Sequence, residues 1–582
     1  MRRWWFLAAA AALALAGCAS QAEPTPTVQP TLARPTSTPP PSATPFITAT
    51  PADTAQAGYP GLPLPDERHD LFSTSGSCAP CHTRLTDDAG QDVSLDSAWR
   101  STMMANAARD PYFLASVRRE ALRNPDSRQA IEDLCATCHM PMARFALAAA
   151  GQTAAILDSG LLDPTNELHT LAMDGVSCTL CHQIRETNLG PLSYSGRFAI
   201  DTELPPGQRL IFGPYTVDED QAAIMQAASS FVPAQAIPRG RGLHLTQSEL
   251  CATCHTLYVP HLDASGQVAG EFPEQVTYLE WFYSDYRSTS TCQACHMPAA
   301  EGAVRVAASS TTPRSPFTQH IFVGGNAYML ELLTANAQEL GLTASAGQLE
   351  TTRGHRLDQL QNQTASLALE NVELTRAWLT LEVVVRSQVG HKFPSGFPSR
   401  RAWLHLVVTD ASGQVVFESG AVNLDGSIVG NDADEDPSRY EPHYRTIVRP
   451  DQVQIYEAVL RDTSGRVTTD LMRAAGYLKD NRLLPESFEK GAPYPDIAVR
   501  GEAMEDENFD AGGDRVGYSI NIVGAEAPFS VTVELLYQSI GYRWAQNFAD
   551  LEGAEIERFL RFYDSVPNTA ARVAEATTQV LP

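Results

Sequence analysis

Basic residues are scarce in this chain: 42 Lys and Arg stand against 68 Asp and Glu, a formal charge of −26. Phosphate binding needs a basic face, so the composition argues against nucleic acid as a partner. Long apolar runs are lacking too. The stretch from 4 to 16 is too short for an ordinary membrane span, and no later segment reaches about 18 uninterrupted apolar residues. Cysteine is sparse, 11 in 582 residues, and none lies outside a pattern. What is present is an ordinary hydrophobic fraction of 43% in a chain too long for one core. Two to three folded domains are expected.

The beginning of the chain reads as an address. Arg2 and Arg3 precede the short apolar stretch, which ends in Leu15, Ala16, Gly17 and Cys18. That ending looks like the lipobox of bacterial lipoproteins, in which the Cys becomes the lipid-bearing mature N-terminus. Residues 1–17 are then a signal peptide, and Cys18 is the one anchor to a membrane. Residues 18–58 are rich in Pro and Thr and offer nothing to build a core. They predict a disordered or polyproline-like tether with a reach on the order of 100 Å.

The other ten cysteines fall in five Cys-x-x-Cys-His units: Cys78/Cys81/His82, Cys135/Cys138/His139, Cys178/Cys181/His182, Cys251/Cys254/His255 and Cys292/Cys295/His296. The spacing is that of covalent c-type haem attachment. The two thiols add to the vinyl groups, and the His that follows ligates the iron from the proximal side. A disulfide framework does not require a His after every second Cys. Zinc ribbons use two Cys-x-x-Cys units per metal, and five units leave one stranded. Five covalent haems are expected between 78 and 296. At that density the porphyrins must serve as core, with brief helices such as 127 to 138 and 248 to 254 leading into the units.

Six-coordinate haems need a second axial ligand, His for low potential and Met for high. His69, His169, His244, His261 and His320 lie in the haem region, 59–345, outside the units. The first three stand seven to nine residues before a unit, better placed for a neighbouring haem than for their own. His261 follows a Pro in a turn-like loop and is a further candidate. For each, a hydrogen-bonded or exposed His stays the alternative. Met140 and Met297 follow proximal histidines directly and read as packing. The order Cys-x-x-Cys-His, Trp, Ser, Cys-x-x-Cys-His-Met-Pro occurs in 78–141 with Trp99 and Ser101, and again in 251–298 with Trp281 and Ser284. It suggests two dihaem modules flanking a central haem at Cys178.

Gly175-Val-Ser-Cys178 running to His182-Gln-Ile184, and Thr291 through Pro298, resemble the multihaem cytochrome c family of the cytochrome c-552/4 kind. That group is related to the pentahaem nitrite reductases and hydroxylamine oxidoreductase, and the resemblance spans about 65 to 330. The resemblance implies a distal ligand at His320. It also implies one near Trp99, where relatives carry His and this chain carries Met103 and Met104; the other reading of Met104 is core packing.

After 345 the units stop and period-two alternation begins, as in Val516, Tyr518, Ile520 and Ile522, and in Val531, Val533, Leu535 and Tyr537. Runs at 377–386, 402–409 and 414–418, with Asp410 to Gly413 as a hairpin turn, complete an expected antiparallel immunoglobulin-like sandwich. The peptides Gly390 to Gly396 and Tyr477 to Pro485 resemble the β-domain behind haem modules in other multihaem cytochromes. His391 sits in a strand-end loop there, a candidate ligand for the last haem or a hydrogen-bonded turn His. The expected plan is a mostly α or irregular pentahaem domain over 59–345, a β-sandwich over 346–552 and a helical segment over 553–582, with 346–582 folding independently of haem. Two acidic clusters, Asp432/Asp434/Asp436 and Asp506/Asn508/Asp510, suit Ca2+ or are ordinary turns.

Function follows from the count. Electron transfer outside the membrane is the leading expectation, with redox partner proteins or an extracellular acceptor at its ends, rather than an enzyme. One alternative is a reductase or oxidase of a small nitrogen or sulfur compound at a five-coordinate haem. The other is a β-domain binding a surface partner, with the haems as its relay.

Overall fold

The computed structural model describes residues 58–234, 242–492 and 494–582; the signal segment, Cys18 and all of the tether but Gly58 lie outside them. In the first half, short helices carry four of the Cys-x-x-Cys-His units. Helix α1 (Pro111–Arg123) starts with Pro at its first turn and Asp110 as cap, its carboxylate accepting from the amides of Tyr112 and Phe113. Helix α2 (Arg128–His139) ends on the second unit. The third unit opens α3 (Cys178–Cys181), and the fourth closes α4 (Ser248–His255). A hairpin of β1 (Leu257–Leu262) and β2 (Val268–Gln275) follows, then α5 (Thr277–Phe282) and α6 (Cys292–His296), which is the fifth unit. The expected helices at 127–138 and 248–254 are therefore present. The first unit is the exception: Cys78, Cys81 and His82 lie in turns that follow the single 3₁₀ turn Ser75–Ser77. Pro80, between the two cysteines, has no amide proton to continue a helix.

Helix α7 (Ala327–Ala335) is followed by α8 (Ala346–Gln363), which starts with a full capping box between Ser345 and Gln348. A sandwich was expected from 346, but its first 18 residues are this helix. The Ser-x-x-Gln signal was legible; the sparse apolar residues of the helix hid it.

The strands are β3 (Ala365–Leu374), β4 (Trp378–Ser387), β5 (Arg401–Thr409), β6 (Val415–Ser419), β7 (Thr446–Ile447), β8 (Ile455–Arg461), β9 (Val467–Thr468), β10 (Gly476–Asp480), β11 (Gly513–Asn521), β12 (Phe529–Gln538) and β13 (Ala571–Val580). One sheet runs β9-β8-β5-β12-β13, with β6 on β5 and β10 on β8; the other runs β7-β11-β4-β3. The pairing is antiparallel except for β7, which lies parallel to β11, so the expected all-antiparallel plan is not complete. Asp410 makes the turn before β6, its carboxylate accepting from the amides of Ser412 and Gln414.

The end of the chain differs from expectation. Helix α9 (Ala554–Ser565) forms, but 571–580 is strand β13 rather than helix. Its Ala, Glu and Gln favour a helix; pairing along the length of β12 outweighs that preference.

The apolar core crosses the boundary expected at 345. Tyr278, Leu279 and Trp281 pack in one buried cluster with Leu381, Leu404 and Val533, and Tyr112 of α1 packs with Trp544, Phe548 and Phe559. A buried ion network crosses it as well. Arg482 contacts Glu280 of α5 at 2.8 Å and Asp480 at 2.8 Å, and Lys392 donates to Asp480 at 2.7 Å. All the described residues fall in one compact unit, Ala52–Pro582. No described helix is long and apolar enough to cross a membrane.

Candidate functional site

Four of the five unit histidines are oriented in the same way. The Nδ1 of His82 bonds the Val306 carbonyl at 2.8 Å, that of His139 the Ala107 carbonyl at 3.3 Å, that of His182 the Phe212 carbonyl at 2.7 Å and that of His296 the Val323 carbonyl at 2.5 Å. A carbonyl accepts only, so the ring proton sits on Nδ1 and the Nε2 lone pair is free. That is the usual second contact of a metal-bound imidazole. Burial pushes His139 and His296 down to about 4 and His320 to about 3, so these rings are neutral at pH 7, as metal binding requires. The fourth ring, His255, has no such backbone bond among the described residues; its neighbours include the charge of Arg400.

Two pairs of rings face one another. His182 and His320 lie with centroids 6.3 Å apart and planes 12° apart, and His296 and His391 are 6.2 Å and 7° apart. A metal–imidazole bond of about 2.0 Å plus about 1.1 Å to the ring centre, taken twice, gives about 6.2 Å. His320 and His391 also bond Nδ1 to carbonyls, of Thr318 at 3.2 Å and Lys392 at 2.9 Å. Spacing, tautomer and protonation thus fit an iron between each pair.

The cysteines expected to attach haem, Cys78, Cys81, Cys135, Cys138, Cys178, Cys181, Cys251, Cys254, Cys292 and Cys295, are all free thiols, and no two are joined in a disulfide. Each is therefore open to thioether formation. The units adjoin one another. Cys78 and Cys178 are neighbours, as are Cys138 and Cys254, and Cys251 and Cys292. Cys181 and Cys254 are also neighbours. The five units therefore form a connected series in which the fourth meets the second, third and fifth.

Cys81 departs from this pattern. It sits in a turn rather than a helix, and its placement comes from the backbone: its amide donates to the Cys78 carbonyl at 3.1 Å, and its own carbonyl accepts from the Ala308 amide at 2.7 Å. The sequence treated the five units as equivalent, but the structure links the first to the series through Cys78. The attachment role of Cys81 thus rests on its spacing from Cys78 and its place before His82.

The two expected modules also need revision. The Trp99 indole donates to the carbonyl of Val176, two residues before the third unit, and the Trp281 indole donates to Ser290, two residues before the fifth. Trp99 therefore serves the third unit, not the second. By this contact the stretch after the first unit is tied to the third, as the stretch after the fourth is tied to the fifth.

The other candidates divide. His169 turns Nδ1 to the Leu161 carbonyl at 2.9 Å, which leaves Nε2 free. His69 has a buried Nε2 without a hydrogen bond, and His261 a buried Nδ1 without one. His244 is reversed: its Nε2 bonds the Ile184 carbonyl at 2.8 Å, so only Nδ1 remains, toward Glu186. Met103 packs into the apolar cluster of Tyr112, whereas Met104 lies half-buried with its carbonyl accepting from Val176. Met140 is buried in apolar surroundings, as packing requires.

Neither acidic cluster converges on an ion. Asp434 pairs with Arg401 and Asp432 with Arg439, while Asp436 accepts from Ser438 and Asp506 from the Asn508 amide. The Ca2+ reading of both clusters is therefore set aside. Among the described residues, His443, Asp506 and Asp514 are close enough to share a metal. Their tautomer opposes it. Gln454 and Asn481 both donate to His443 Nδ1, and their own oxygens are held by the Tyr444 and Glu457 amides. The ring proton is therefore on Nε2, the atom a metal would need.

Sequence reasoning missed the residues that dock the His391 loop. Ser284 donates to the Gly390 carbonyl at 2.9 Å and Tyr286 to Gln388 at 2.9 Å. Gly390 lies so close to the Tyr286 ring that a Cβ there would come within 2.9 Å of it. Only the Trp-to-Ser repeat hinted at Ser284.

No family model matches the chain, and no curated protein does. A solved structure of a penta-heme cytochrome c552 from Thermochromatium tepidum is similar over 87% of this chain and 98% of that one, at 18% identity and a TM-score of 0.47. At those values the likeness assigns no residue.

Proposed function

We propose that the chain is a multihaem c-type cytochrome carrying electrons through five covalently held haems. The observation that carries this reading is the facing of His182 on His320 and of His296 on His391 at 6.3 and 6.2 Å, each ring belonging to or opposing a Cys-x-x-Cys-His unit. Haem at these units supplies one-electron exchange between ferric and ferrous iron. The cysteines of each unit hold it through thioethers, and His82, His139, His182, His255 and His296 give the proximal nitrogens. His320 and His391 give distal nitrogens to the third and fifth units, and His169 and His69 are the next candidates. The adjoining units make the path continuous. Cys18 carries the lipid, the tether holds the body off an extracytoplasmic membrane face, and the acidic surface docks basic redox partners.

Intact mass of the mature protein tests the reading. Five haem additions are expected; four or fewer remove the full count.

A second reading, reduction or oxidation of a small nitrogen or sulfur compound, has one observation in its favour. Glu274, Arg400, Tyr477 and Arg482 line a small cavity, and the Arg400 charge reaches His255, which no His ring faces among the described residues. Reduction of small anions needs an open axial position beside such groups. A high-spin haem signal that responds to cyanide would support it, and five low-spin haems would end it.

A further inference from the structure

One face of α8 carries a charge where an apolar residue is expected. Leu349, Thr352, Arg356 and Leu360 recur three or four residues apart and all are buried, so Arg356 lies on the core-facing stripe. It is only 2% exposed. Its Nε and Nη1 are buried without a hydrogen-bond partner, and no carboxylate pairs with it among the described residues. The other buried cations have partners: Lys392 and Arg482 pair with Asp480, Lys479 with Glu457, Arg401 with Asp434 and Arg119 with Glu120, while Arg209 and Arg543 donate to backbone carbonyls.

An unpaired ion in a protein interior is strongly destabilising, so a buried guanidinium calls for an anion. Arg356 lies in the surroundings of His296, the histidine of the fifth unit. That ring faces His391. The planar fork of arginine matches a carboxylate with two parallel hydrogen bonds, and the carboxylates that haem carries are its two propionates. We infer that Arg356 binds a propionate of the haem held by Cys292 and Cys295. The inference rests on the haem reading above and adds to it a cation from outside the haem-motif region.

The test uses the full-length, haem-loaded protein. Intact mass first establishes five haems in the wild type and in Arg356→Gln, Arg356→Lys, Arg356→Met and His391→Ala. Potentiometric titration followed by low-temperature electron paramagnetic resonance then reads each haem. Loss of the cation leaves the propionate uncompensated and favours ferric iron. Arg356→Gln should therefore lower the potential of one haem, the one whose low-spin signal is lost in His391→Ala. Arg356→Lys keeps the charge and loses the fork, so a smaller shift in the same direction is expected; it carries the test if the Gln variant does not accumulate. Arg356→Met should lower the melting temperature if the charge is paired and raise it if it is not. Five haems with every potential unmoved, a shift confined to another haem, or a stabilised Met variant would overturn the inference. A wild-type mass without haem would instead overturn the haem reading itself.

Discussion

On the proposed reading, single side chains supply the axial ligands. His391→Ala and His320→Ala each remove one ring of a facing pair and leave the cysteines of the five units untouched. Each variant is expected to keep five haems by mass and to convert one low-spin signal to high-spin; an unchanged spectrum would count against that residue as a ligand. His405 makes a different prediction. Its Nε2 meets Glu418 at 3.0 Å and its Nδ1 meets Glu534 at 3.2 Å, so both nitrogens donate only when the ring is charged. Burial lowers its basicity, but the two carboxylates more than offset this and the ring titrates above 6.5. A raised folded value gives stability that is full below the unfolded value near 6.5 and is lost as pH rises through the folded one. Melting curves against pH should show about 1 kcal/mol separating wild type from His405→Gln at pH 6. The gap should close at alkaline pH, and a gap independent of pH would reject the charged ring.

Among elements, the loop between β4 and β5 depends most on its neighbours. It carries His391, and beside the Ser284 and Tyr286 bonds its hold on the first half includes Glu280. That carboxylate accepts from the Ser395 hydroxyl at 2.6 Å and the Lys392 amide at 3.3 Å while contacting Arg482 at 2.8 Å. Glu280→Gln preserves the shape and leaves two buried cations, Arg482 and Lys392, on the Asp480 carboxylate alone. The expected cost is about 3 kcal/mol in denaturant titration. The His391 haem signal should broaden or turn high-spin in the same variant. A change in stability without a change in that signal would separate the network from the ligand. Strand β13 shows the same dependence at the level of conformation, since its helix-favouring residues are strand because β12 offers a partner along its whole length.

At the scale of the molecule, the halves share one core. Residues 346–582 expressed alone would lack Glu280, Tyr278 and Trp281 and would expose the apolar groups those residues cover. The fragment is expected to show β-structure by circular dichroism without a cooperative melt. A sharp melt would restore the view of two independent modules. Only three lysines occur in the chain, and Lys392 and Lys479 are wholly buried in ion pairs. The exposed positive charge is therefore almost entirely arginine, on a surface that is acidic overall.

The five Cys-x-x-Cys-His units, the helices that lead into the second and fourth and the alternating strands were legible in the sequence. Each depends on neighbours within a few residues: thiols three apart, an imidazole next to them, a period of two or of 3.6. His320 was reached through a resemblance and His391 through its strand-end loop, but which ring faces which is absent from local spacing. His182 and His320 are brought together over 138 positions, and His296 and His391 over 95, by packing alone. The same holds for Trp99, whose partner lies at the third unit although the second is nearer in the chain. Nothing in the sequence singles out Arg356, because a charge on an amphipathic helix is ordinarily solvated. Only the tertiary structure turned that face inward, and a buried cation without an anion acquires a meaning there that no sequence pattern carries.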